Sequence, residues 1–138
     1  MLHHKTKEEF SALLKDSEIL EALGNSNNKQ VKVARLPDGR ILKLFRRKGF
    51  SFTSGLRKPY CLRFKENAEK LTLMGIPSVK VEEVFHLSHT FQSGVLYPEL
   101  VGTILRTVLK NANTSSRALW IARFAQFTCS LHERGIYF

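Results

Sequence analysis

Acidic residues are scarce where basic ones crowd. Between Lys29 and Lys65 stand twelve Lys and Arg residues and a single acid, Asp38, a net of +11. The rest of the chain carries ten bases and eleven acids, a net of −1, so the overall +10 is a local feature. Such one-sided charge points to an anionic partner for that segment. Long apolar runs are missing too: none approaches the ~20 residues a membrane-spanning helix needs. The opening "MLHHKTKEEF" has no signal-peptide core. There are only two cysteines, Cys61 and Cys129. Both fall in amphipathic patterns and read as buried thiols of a reducing cytosol, which excludes a disulfide scaffold. No zinc site is read from them, and His3 and His4 read as a pair at a frayed end. No repeat or low-complexity tract occurs.

What is present alternates strand and helix patterns. "TKEEFSALL" opens with a capping box, Thr6 to Glu9, ahead of Phe10, Leu13 and Leu14, and predicts a short helix. "SEILEALGNSNN" fits either a helical turn or a strand. "QVKVARLPDGRILKLF" predicts a β-hairpin turning at Pro37-Asp38-Gly39. "YCLRFKENAEKLTLM" predicts a helix stopped by Gly75 and Pro77, with Tyr60, Cys61, Phe64, Ala68 and Leu71 on one face. "SVKVEEVFHL" and "HTFQSGVLYPEL" predict two more strands. "GTILRTVLKN" predicts a short helix and "NTSSRALWIARFAQFTCSLHERG" a long one packed through Trp120, Phe124 and Phe127. After Gly135 a short apolar strand is expected. Antiparallel strands broken by one helix, then all-helical sequence, give an α+β fold.

Lys43 is the first candidate site residue. It sits in "RILKLF", apolar on both sides, and a Lys there either snorkels to water from an edge strand or meets an anion.

The order of parts resembles the N-terminal lobe of the protein-kinase-like fold, over roughly residues 18–138. "ILK" stands where that family has its strand-three Lys, which pairs nucleotide phosphates. "DGRILKLFRRK", "NAEKLTLMGIPS" and "LHERGIYF" are similar to the bacterial lipopolysaccharide-kinase and toluene-tolerance branch, which includes heptose and 3-deoxy-manno-octulosonic acid kinases. The resemblance implies an antiparallel sheet with one packed helix over residues 1–97, then a hinge and the first C-lobe helices over 98–138. It implies ATP and Mg²⁺ as cofactors. In "VLYPELVG" the main chain of Leu96, Tyr97, Pro98 and Glu99 would meet an adenine edge, although Pro98 lacks a donor. On the helix a Glu should hold Lys43. Glu66 and Glu69 are the available acids, yet both lie off the apolar face, with Asn67 at its margin.

Two departures qualify the resemblance. The phosphate-covering loop is Gly-rich in the family, whereas "GNSNNKQ" has one Gly. The family's catalytic Asp, metal-binding Asn and second metal Asp would follow Phe138. The expectation is a chain cut before the catalytic loop, or a non-catalytic remnant, with no catalytic residue, no metal ligand and no phosphoryl transfer. The basic loop, with Arg46, Arg47, Lys48, Arg57 and Lys58, is expected to face anionic membrane or phosphorylated glycolipid, with Phe50 and Phe52 dipping in. That suits a cytoplasmic protein at the periphery of the inner membrane. The alternative is a small basic module for anionic membrane or nucleic acid without nucleotide chemistry.

Overall fold

The computed structural model describes residues 3–24, 30–46, 58–90 and 92–137. They form an α+β fold whose six strands make one mixed sheet, with four helices among the described residues. The chain divides into two compact units, Met1–Leu100 and Val101–Phe138.

The first unit begins with β1 (His3–Lys5), α1 (Lys7–Leu14) and β2 (Glu18–Leu23). His3 and His4 are therefore not a frayed end. β1 pairs in parallel with β5 (Glu83–Leu87), so the sheet is mixed and not purely antiparallel. A Lys5–Glu83 ion pair at 2.6 Å and the Ser88 hydroxyl donating to the Lys5 carbonyl hold β1 in place. The capping box forms as read: the Glu9 amide donates to Thr6 Oγ1 and the Thr6 amide to Glu9 Oε2. α1 ends without Gly. Asp16 takes φ 59°, and the Ser17 amide and hydroxyl both return to the Leu14 carbonyl. That stop directs "SEILEAL" into a strand, which settles its ambiguity.

The hairpin is β3 (Gln30–Arg35) and β4 (Arg40–Phe45), with Val33 opposite Lys43. Gly39, at φ 82°, supplies the left-handed residue that the turn requires. α2 (Tyr60–Leu73) follows, and Gly75 at φ 71° closes it as the Ile76 amide returns to the Leu71 carbonyl. β5 and β6 (Ser93–Pro98) complete the sheet in the order β1-β5-β6-β4-β3-β2.

Alternation divides β4 between the two faces. Leu42 and Leu44 join Ala34, Leu36, Phe85, Leu87 and Leu96 in the main core, against which Phe10, Leu13 and Leu14 of α1 pack. Lys43 and Phe45 face the other way, toward α2. Two helices thus pack on the sheet, where the resemblance implied one.

The second unit holds α3 (Leu105–Asn111) and α4 (Thr114–Glu133). Asn113 caps α4, accepting from the Ser116 amide at 2.8 Å, and Gly135 at φ 75° ends it. Ile136 and Tyr137 form no strand; the Tyr137 ring stacks on His132 with centroids 5.2 Å apart. Phe124 and Phe127 are half exposed, at 53% and 45%. Cys129 is exposed as well, while Cys61 is buried as expected. No described helix is long and apolar enough to cross a membrane.

Candidate functional site

Lys43 does not lie on an edge strand. β4 runs between β3 and β6, and Lys43 pairs across with Val33 on one side and Val95 on the other. Its side chain is half-buried beneath α2. The ammonium lies 5.0 Å from the centre of the Phe64 ring and 5.7 Å from that of Phe45. Cations over aromatic faces gain about 0.5–2 kcal/mol, more as water is excluded. Phe64 also meets Tyr97, with centroids 5.9 Å apart. Burial pushes the Tyr97 phenol above its ordinary range. The result is a lysine over two aromatic rings, Phe64 and Phe45, the first of which also meets Tyr97. Among the described residues no carboxylate forms an ion pair with it.

The acids expected to hold Lys43 go elsewhere. Glu66 pairs with Lys58, and Glu69 reaches Lys65 at 3.8 Å. Asn67 is exposed. The cause is helical phase: with Phe64 turned to the sheet, Glu66 and Glu69 project about 200° and 140° away from it at ~100° per residue. Cys61 and Ala68 are buried on the same helix, which agrees with the apolar face read from sequence; Tyr60 is the exception, 54% exposed.

β6 carries the chain from Lys43 to the segment read as a hinge. Leu96 is fully buried, Tyr97 half-buried, and Pro98 and Glu99 exposed. Several main-chain groups there are already used. The Leu96 carbonyl accepts from the Glu82 amide at 2.9 Å, and the Glu99 amide donates to the Gly39 carbonyl at 3.2 Å. Pro98 has no amide hydrogen. An adenine edge would find fewer partners here than the resemblance implied.

The Glu99 side chain belongs to a network that sequence reasoning missed. Arg35 grips it bidentately, Nε to Oε2 at 2.7 Å and Nη2 to Oε1 at 2.6 Å, and also meets Glu18. This holds the Glu99 carboxyl below its usual range and raises the Arg35 guanidinium further above its own. Arg35 and Glu99 lie 64 positions apart, too far for any local pattern to link them.

Ion pairing also changes the meaning of the basic segment. Lys32 meets Glu21, Arg35 meets Glu18 and Glu99, Arg40 meets Asp38, Lys58 meets Glu66 and Lys65 meets Glu69. The scarcity of local acids is thus offset by acids from β2, α2 and the end of β6. Of the described bases in that segment, Lys43, Arg46 and Arg63 form no such pair; Arg46 donates to Gln30 and Arg63 stacks over Tyr60 at 5.4 Å. Arg47, Lys48, Phe50, Phe52 and Arg57 lie outside the described residues, as does most of "GNSNNKQ". Among the described residues no three His, Cys, Asp or Glu side chains gather in a metal-binding group. Comparison with family models, curated proteins and solved structures finds no match to this chain.

Proposed function

We propose that the first unit is the nucleotide-holding lobe of a kinase-like protein related to the lipopolysaccharide-core sugar kinases. The observation that carries this reading is Lys43. It stands on an interior strand, beneath the helix that follows that strand, and beside the strand that leads out toward Glu99. The ligand groups it suits are the phosphates of ATP. A half-buried ammonium without a carboxylate partner gains most from a ligand anion. No described residue is assigned to Mg²⁺, because no group of three His, Cys, Asp or Glu side chains gathers among them. ATP then depends on Lys43 and on a few main-chain contacts, and affinity is low. No described residue is assigned the role of catalytic base, and no phosphoryl transfer is proposed for residues 1–138. By the same resemblance, the acceptor served by such a lobe is a membrane-borne sugar at the cytoplasmic face of the inner membrane.

The competing reading is a basic module for anionic membrane or nucleic acid. The ion pairs that cover Lys32, Arg35, Arg40, Lys58 and Lys65 weigh against it.

Equilibrium dialysis with labelled ATP tests the nucleotide reading. Binding in the range of about 1 mM is expected, weakened several-fold in Lys43→Ala with the fold checked by circular dichroism. No ADP should form. Equal binding by wild type and Lys43→Ala would overturn the proposal.

A further inference from the structure

An open groove of about 220 Å³ crosses one end of the sheet, lined by Leu23, Val31, Leu44, Phe45 and Tyr60. Its floor is firm: Leu44 is a buried member of the main core and Val31 packs against that core. Its rim is cationic, formed by Lys32 and Arg46. These two cations differ. Lys32 is matched by Glu21. Arg46 forms no ion pair with a described carboxylate; its Nη2 donates to Gln30 Oε1, an amide oxygen that Gln92 Nε2 also approaches at 3.4 Å. An amide oxygen orients a guanidinium but does not neutralise it. The groove therefore joins apolar walls to one uncompensated cation.

We propose that this groove binds an anionic amphiphile with a single straight chain. The carboxylate head meets Arg46, and the chain lies along Val31, Leu44 and Phe45. Size supports this. The groove is larger than the roughly 150 Å³ apolar cavity that accommodates benzene, so it has room for a short alkyl chain. Charge selects the head group: a neutral alcohol leaves the guanidinium unmatched, and a cationic head is repelled by it. A sugar or base would find no polar side chain on the walls beyond the two cations and the Tyr60 hydroxyl. The groove and the nucleotide site share Phe45, but neither Lys43 nor the segment Leu96 to Glu99 lines the groove.

The test is calorimetric titration of residues 1–138 with decanoate, decanol and decyltrimethylammonium, each below its micelle concentration. Saturable decanoate binding is expected, with decanol and the ammonium at least about tenfold weaker. Arg46→Gln should reduce decanoate to the level of decanol. Val31→Trp should fill the groove and abolish binding at unchanged circular dichroism; Leu23→Trp, at an exposed strand position, obstructs the mouth and replaces it if Val31→Trp fails to fold. Equal affinity for decanoate and decanol, or full binding by a groove-filling variant that folds, would overturn the proposal.

Discussion

Single residues set the terms of this protein, and Gly94 shows how closely. It sits on β6 opposite Phe85, and a Cβ there would meet the Phe85 ring at 2.5 Å and Leu44 at 3.0 Å. Phe85 is fully buried and both neighbours belong to the core, so neither can move freely. Gly94→Ala should cost about 1–3 kcal/mol by overpacking, read as a lower denaturation midpoint in urea. The sequence shows only a Gly in a strand; its role depends on which ring crosses it. Lys43 is a similar case. Its place in a strand could be read, but Phe64 as its neighbour could not, because helix phase depends on packing. The Arg35–Glu99 pair has a pH consequence. A carboxyl whose folded value is lowered stabilises the fold fully above its unfolded value, near 4.3. That contribution fades as pH falls through the lowered folded value. Arg35→Gln should therefore flatten the loss of thermal stability below about pH 4.5. An unchanged acid limb of the stability curve would show that the pair contributes nothing.

Among the elements, those with strong local signals were legible: the capped α1, the Pro-Asp-Gly hairpin, α2 with its Gly75 stop, and α3 and α4. Two were not. β1 has three residues and exists only through its parallel pairing with β5, a long-range event with no local periodicity. The apolar residues of α4 suggested burial, yet Leu119, Ile121, Phe124 and Phe127 all remain about half exposed. Periodicity shows which residues could share a face, not whether a partner covers it. Truncation should separate the cases. Phe85→Ala, in the core, should cost the full ~3–5 kcal/mol, and Phe124→Ala about half that or less. Equal losses in chemical denaturation would mean that Phe124 is buried in solution.

At the scale of the whole molecule, charge is legible in the sequence as a sum, whereas the acids that fold beside it are not. The excess between Lys29 and Lys65 is real, but acids distant in sequence are folded onto it. Removing those acids should unmask it. Glu18→Gln with Glu21→Gln frees charge on Arg35 and Lys32. It should raise affinity for anionic vesicles more than Glu8→Gln with Glu133→Gln, which makes the same change in net charge at acids outside these pairs. The nucleotide reading likewise rests on arrangement, since Lys43, Phe64 and Tyr97 come together only through the crossing of β4, α2 and β6. Titration of ¹⁵N-labelled residues 1–138 with ATP tests it most directly, because chemical shifts register millimolar binding. Saturable shifts centred on Lys43, Phe64, Val95 and Tyr97 are expected, nearly the same with Mg²⁺ or with chelator, and absent in Lys43→Ala. Shifts confined to Arg46 and Arg63, or no saturable shift at all, would contradict it.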